Sequence, residues 1–345
     1  MKNALDLQKL FKGTKPSFSV PPEPRKAELV AVPGNPIPAD GKVGFITSSG
    51  GVHLRYALWR GTSAHRFGTV CILPGRGEFI EKYSETISDL RRRGFTVAIF
   101  DWRGQGGSDR ELANARKGHI SDFREYDEDL HSFVKQVLLP DCPAPFFAVA
   151  HSMGANILLR NTAYESCQFE RVVMVSPMLK LEQLPISEGL VRLYVETASI
   201  AGFSDAYVPG GSDLAMEQKG FEGNFLTSDK VRYERFEKVL AAAPSLGTGS
   251  PTNGWLYAAF RSMSELTAPG FPGRIKVPVL ILSAADDKIV SSEAIQKFAA
   301  RARMCRLTDI PGARHEIMQE RQTFREEFWA AFDKFIPGTK EWQVL

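Results

Sequence analysis

Apolar residues along this chain fall into two alternating kinds of run. Thr69-Val70-Cys71-Ile72-Leu73, Thr96-Val97-Ala98-Ile99-Phe100 and Arg171 to Val175 are short, continuous and apolar, as strands buried on both faces are. Between them the spacing changes to that of helices. Phe79, Ile80, Tyr83, Ile87 and Leu90 mark one helix, and Phe123, Tyr126, Leu130, Phe133, Val134 and Val137 mark another. Lys42 to Ile46 and Val52 to Trp59 read as two strands around the turn Ser48-Ser49-Gly50-Gly51. Strand and helix resume late, with Pro278 to Ser283, Ser291 to Arg303, Cys305 to Ile310 and a last helix from Gln319 to Phe335. Arg91-Arg92-Arg93 closes the first helix and is expected to be a solvated face suited to the helix dipole.

Regular alternation of strand and helix predicts an α/β fold, a mainly parallel sheet with helices on both sides. The rhythm breaks between Met178 and Ile275, a stretch with helical patches but no buried strand. It is too long for a plain loop and is expected to be a helical cap inserted over the sheet edge. The proline-rich start, with Pro16, Pro21, Pro22, Pro24, Pro33, Pro36 and Pro38, reads as an extended arm. The expected organisation is therefore an arm over 1–42, a core over 43–177 and 276–345, and a cap over 178–275.

Composition adds limits rather than detail. The chain has 345 residues, 43% hydrophobic and 24% charged, which suits a sizeable core and argues against disorder. A net charge of +3 makes no case for nucleic acid but would not repel an anionic lipid surface. No run approaches the roughly 18 apolar residues of a spanning helix, and Met1 to Arg25 lacks an apolar signal core. The expectation is a cytoplasmic protein with peripheral contact to a membrane within its reach. Cys71, Cys142, Cys167 and Cys305 are widely spaced, so neither a zinc site nor a redox motif is indicated, and Cys71 reads as a core residue. No metal or cofactor is expected.

Chemistry concentrates where Phe146-Phe147-Ala148-Val149-Ala150-His151 runs as a strand into Ser152 and leaves as the helix Met153 to Leu159. Strand, sharp turn with serine at its tip, and helix make a nucleophile elbow. Ala150 and Gly154, two residues either side of Ser152, are small, as the tight turn demands. A serine hydroxyl needs a base, and the base needs an orienting acid. His315 is the single histidine after Ser152, and it follows the last apolar strand. Asp286 and Asp287 both close the strand Val279 to Leu282, and spacing does not choose between them. His151 adjoins Ser152 but should point away from its hydroxyl. His53, His65, His119 and His131 show no metal-ligand spacing with carboxylates. The oxyanion of acyl transfer needs two backbone N–H groups, each worth about 3 kcal/mol at the transition state. Met153, after the serine, supplies one. The loop Pro74-Gly75-Arg76-Gly77 supplies the other; proline has no N–H, which leaves Arg76 as the candidate. Glu78 is expected to brace this loop by pairing with a basic group. The carboxylate and glycines of Asp101-Trp102-Arg103-Gly104-Gln105-Gly106-Gly107-Ser108 should hold the floor beside it.

Together these segments resemble the α/β-hydrolase superfamily, more narrowly its bacterial lysophospholipase and monoacylglycerol lipase branch, which is also grouped with serine aminopeptidases. The likeness rests on Pro74 to Glu78, Asp101 to Ser108, Ala150 to Ala155, Asp287 to Val290 and Ala313 to Glu316, with further likeness in the cap at Leu226 to Asp229, Arg232-Tyr233, Pro251-Thr252 and Trp255. It implies an eight-stranded, mainly parallel sheet. Its Asp-x-x-Val ending selects Asp287 over Asp286. Pro74 stands where the family has histidine, and Ala150 and Ala155 stand where it has glycines. The resemblance implies a serine esterase with a Ser152-His315-Asp287 triad, acting on a lipid-like monoacyl ester: lysophospholipid first, monoacylglycerol second. Leu190, Leu193, Tyr194, Phe203 and Phe225 are expected either to line an acyl channel or to form the cap's own core. The alternatives are a small-ester carboxylesterase, a serine aminopeptidase using acids such as Glu182, Glu188 and Glu196, and a non-catalytic binding scaffold.

Overall fold

The computed structural model describes residues 27–63 and 67–338. The first 26 residues of the expected N-terminal arm lie outside the described residues, as does His65.

The antiparallel pair β1 (Lys42–Thr47) and β2 (His53–Trp59) opens the sheet. Then follow β3 (Thr69–Leu73), α1 (Ser84–Arg92), β4 (Thr96–Phe100) and α2 (Arg124–Phe133). The latter continues through a π-helical turn into the short α3 (Leu139–Asp141). Next come β5 (Phe146–His151), α4 (Ser152–Asn161) and β6 (Arg171–Val175). Between β6 and β7 lie α5 (Glu188–Ile200), α6 (Lys230–Ala242) and α7 (Asn253–Thr267). The chain returns with β7 (Val279–Ala284), α8 (Ser292–Ala299), β8 (Cys305–Ile310) and α9 (Gln322–Phe335). Eight strands make one sheet in the order β1-β2-β4-β3-β5-β6-β7-β8. Every pairing from β4 to β8 is parallel, and only β2 against its neighbours is antiparallel.

The unbroken apolar runs have a simple cause. In β3, Val70 and Ile72 enter one apolar cluster while Cys71 and Leu73 enter the other, on the opposite face. A strand covered on both sides has no position to leave polar. α9 closes one face, where Phe332 and Phe147 each meet Phe95 edge-on, at 6.1 and 6.0 Å between centroids. Such pairs add about 1 kcal/mol beyond the area they bury. α7 buries Trp255, Ala259, Phe260 and Met263 in the cluster on the other face, so the stretch between β6 and β7 is anchored in the sheet's own core.

The arginine cluster departs from expectation. Arg92 is exposed, but Arg91 and Arg93 are buried. Arg93 pairs with Asp333 at 2.8 Å and lies 3.9 Å over the Trp329 ring. Arg91 donates to the carbonyls of Ala39 and Arg60. Their partners sit up to 240 residues away, which no local pattern could reveal. Among the described residues, no helix is long and apolar enough to cross a membrane.

Candidate active site

β5 delivers Ser152 to the carboxyl edge of the sheet. Ser152 carries φ of +50°, a left-handed angle that non-glycine residues rarely adopt and that costs on the order of 1–3 kcal/mol. The turn holds because its neighbours leave no slack. A Cβ on Gly154 would collide with the carbonyl oxygens of Leu73 and Pro74, so glycine is what lets α4 close on the end of β3. Ala150 and Ala155, which depart from the family's glycines, are both fully buried without forcing the turn open.

β7 and β8 bring the other two candidate residues to the same edge. His315 Nδ1 donates to Asp287 Oδ2 at 2.7 Å, both side chains being almost wholly buried. Asp287 Oδ1 accepts from the N–H groups of Ile289 and Val290 at 2.8 and 3.0 Å. Burial alone would raise the Asp287 pKa; His315 and these backbone donors outweigh it and hold the carboxyl below its usual value. Asp286 is exposed, and its backbone N–H goes to Ala313. Ser152 and His315 both line one cavity of about 570 Å³.

Beneath this cavity the loop after β3 is pinned donor by donor. Gly75 N–H donates to Glu78 Oε2, and Gly77 N–H donates to Gln105 Oε1 at 3.1 Å. Gln105 Nε2 in turn donates to the Gly75 carbonyl at 2.8 Å, and Trp102 Nε1 to that of Pro74 at 2.8 Å. Among the described residues the Arg76 N–H has no acceptor. Met153 lies in the first turn of α4, where N–H groups lack an intrahelical partner. The floor segment behaves as expected. Asp101 accepts from Arg55 Nε at 2.7 Å, Ile80 N at 2.9 Å and Gly107 N at 2.7 Å.

Glu78 has more partners than the sequence suggested. Its carboxylate meets His151 Nδ1 at 3.1 Å, Tyr83 Oη at 2.5 Å and Lys82 Nζ at 3.5 Å. Lys82 is fully buried and also reaches Glu217 at 2.8 Å and Glu316 at 2.6 Å. Burial opposes its charge, but these carboxylates outweigh that and raise its pKa. Sequence reasoning missed Lys82 because its partners lie 135 and 234 residues away. His119 is a buried partner of Thr252, at 2.8 Å, and His53 pairs with Asp109.

Apart from Arg76, Glu78, His151, Ser152, His315 and Glu316, the cavity is lined by apolar and aromatic residues. Leu181, Leu184, Val191, Val195, Leu226 and Ile289 line it, with Tyr194 and Ile186 also contributing. Of the five cap residues expected to form a channel or a cap core, only Tyr194 reaches the cavity. Leu190, Leu193, Phe203 and Phe225 are 56%, 60%, 61% and 44% exposed. Helical spacing marks an apolar stripe, but α5 turns Val191 and Val195 inward and leaves Leu190 and Leu193 outside.

A family described as "Serine aminopeptidase, S33" matches residues 64–322. The chain belongs to this hydrolase family. It is 30% identical over 266 residues to the "Probable lysophospholipase L2" of Haemophilus influenzae, covering 77% of this chain and 82% of that one. It is 29% identical over 283 residues to the "Lysophospholipase L2" of Escherichia coli, covering 79% and 81%. In fold it matches the monoglyceride lipase of Saccharomyces cerevisiae, crystallised with a substrate analogue, with a TM-score of 0.67 at 18% identity over 93% of this chain and all of the other. The monoacylglycerol lipase of Paleococcus ferrophilus gives 0.65 at 22% over 83% and 99%. This hydrolase therefore has the α/β-hydrolase fold and is a serine hydrolase that cleaves carboxylic esters.

Proposed function

We propose that this hydrolase cleaves monoacyl lipid esters, lysophospholipids above monoacylglycerols, through Ser152, His315 and Asp287. Ser152 Oγ attacks the ester carbonyl while His315 Nε2 takes its proton. Asp287 holds the Nδ1 proton, which fixes the tautomer and stabilises the imidazolium. The N–H groups of Arg76 and Met153 receive the oxyanion. His315 returns the proton to the leaving alcohol; it then takes a proton from water, whose oxygen attacks the acyl-enzyme carbonyl, and gives that proton back to Ser152 Oγ as the fatty acid leaves.

The observation that carries this reading is that His315, held by Asp287 at 2.7 Å, lines the same cavity as a serine held at positive φ. Cavity walls of leucine, valine and isoleucine suit one acyl chain. They do not suit a peptide amine. Glu182 and Glu196 are exposed away from the cavity, and Glu188 pairs with Arg192. The acids that do line it, Glu78 and Glu316, are held by Lys82. A cytoplasmic site of action with peripheral contact to membranes accords with a lipid substrate.

Purified enzyme and Ser152→Ala should be compared on lysophosphatidylcholine, monoacylglycerol, p-nitrophenyl butyrate and an amino-acid amide. Ser152→Ala should lose about three to six orders of magnitude in rate on the esters. Undiminished turnover by that variant would end the mechanism. Faster cleavage of the amide than of any ester would replace the substrate assignment.

A further inference from the structure

Arg76 contributes a backbone N–H to the reaction above, but nothing in that reaction uses its side chain. Arg76 lines the same cavity as Ser152 and is the only arginine or lysine to do so among the described residues. Trp255 lies under it at 4.9 Å, and Nη2 donates to the Gly249 carbonyl at 2.8 Å. Its Nε is buried with no hydrogen-bond partner, and among the described residues no carboxylate pairs with it. Arg91 is likewise held by carbonyls alone among the described residues, but its Nε has a partner, the Arg60 carbonyl. Other buried arginines pair with carboxylates. Arg55 has Asp101 and Glu81, Arg103 has Asp129, Arg160 has Asp127, and Arg325 has Asp89. Burial lowers the Arg76 pKa to about 10, which still leaves it cationic at neutral pH. A partly buried cation without a counter-ion, one of its donors buried and unpartnered, costs the fold free energy that the Trp255 stack and one carbonyl offset only in part.

We infer that the Arg76 guanidinium is an anion subsite that takes the phosphodiester of a lysophospholipid while the ester lies at Ser152. This rests on the ester-cleaving reading above and adds the group that selects the head. In a 1-acyl lysophospholipid, six bonds separate the ester carbonyl carbon from phosphorus, about 7 Å when extended. Five bonds separate an arginine Cα from its Cζ, about 6 Å. One residue can therefore hold the oxyanion with its N–H and the phosphate with its side chain. The stack on Trp255 and the bond to Gly249 fix the guanidinium plane without neutralising it, which leaves donors for a paired contact with phosphate oxygens. A monoacylglycerol offers no anion and leaves the charge unpaired.

The test is a ratio. For wild type, kcat/KM is measured on a lysophosphatidylcholine and on the monoacylglycerol with the same chain, both as monomers. Arg76→Gln keeps the backbone N–H and should lower the ratio of the two by about 10–100-fold, chiefly through KM for the phospholipid. Arg76→Lys should restore part of it. A ratio unchanged in Arg76→Gln, whether both rates fall or neither does, overturns the subsite. A second measurement needs no Arg76 variant. Octyl phosphate should bind Ser152→Ala in calorimetry at least about tenfold more tightly than octanol. Equal affinities overturn the proposal, as does inorganic phosphate binding as tightly as octyl phosphate, because the lipid would then be irrelevant. Undiminished ester cleavage by Ser152→Ala would instead sink the serine mechanism, a separate result from either of these.

Discussion

His151 and Glu78 meet at 3.1 Å through Nδ1 and Oε1, one residue before the candidate nucleophile. The other ring nitrogen of His151 lies 3.2 Å from the carbonyl oxygen of His315. Both neighbours are acceptors, an arrangement that favours the imidazolium, which donates from both nitrogens. Burial opposes that charge, but Glu78 outweighs it and raises the His151 pKa. His151 is thus a brace between the loop after β3 and the loop bearing His315.

The pH dependence of this brace has a definite sign. A histidine whose pKa is raised by folding stabilises the fold below its unfolded value and loses that contribution as pH rises through the folded value. Glu78, held below its usual range by His151 and Lys82 despite burial, loses its contribution only as pH falls through that lowered value. Glu78→Gln should cost about 3 kcal/mol in urea unfolding near pH 6. The difference from wild type should shrink between pH 7 and pH 9. A difference that grows over that interval would mean that His151 is neutral in the fold.

Asp287 and Asp286 should separate cleanly. Asp287→Asn reverses the hydrogen-bonding demand on His315 Nδ1 and should lower kcat about 10³–10⁴-fold with little change in fold. Asp286 is exposed, so Asp286→Asn should stay within about two- to threefold of wild type. Equal effects of the two, read from kcat on p-nitrophenyl butyrate, would reject Asp287 as the orienting acid.

The elbow should tolerate change at some small residues and not at others. Gly154→Ala drives a methyl into the carbonyls of Leu73 and Pro74, backbone that cannot step aside. It should destabilise by about 1–3 kcal/mol and cost activity by moving the Arg76 loop from Met153. Ala155→Gly removes a buried methyl without touching that contact, so its loss should be confined to stability. Thermal melts alongside turnover will tell these apart, and an active Gly154→Ala enzyme would contradict the close approach of α4 to β3.

The sheet could be read from the chain because each of its strands is a local pattern. Val70 and Ile72 against Cys71 and Leu73 need only neighbours on both faces to become a continuous apolar run. The segments around Ser152, Asp287 and His315 were legible for a related reason, since fold order alone sends late strand ends to one edge. What could not be read is charge pairing across long separations. Arg91 and Arg93 look like a solvated cluster until the Ala39 and Arg60 carbonyls close on the one and Asp333 on the other, and Lys82 looks like an ordinary surface lysine until Glu217 and Glu316 close on it. Nor does helical spacing reveal which side of a two-sided apolar helix faces the cavity, as Leu190 and Val191 show.

Lys82 also bears on how the chain is made. During synthesis its ammonium emerges from the ribosome long before the carboxylates of Glu217 and Glu316 that will surround it. Until residue 316 is out, closing this part of the core would trap a cation short of counter-charge. The charge cluster around Lys82 is therefore complete only once residue 316 has been made, although Lys82 itself belongs to the first quarter of the chain.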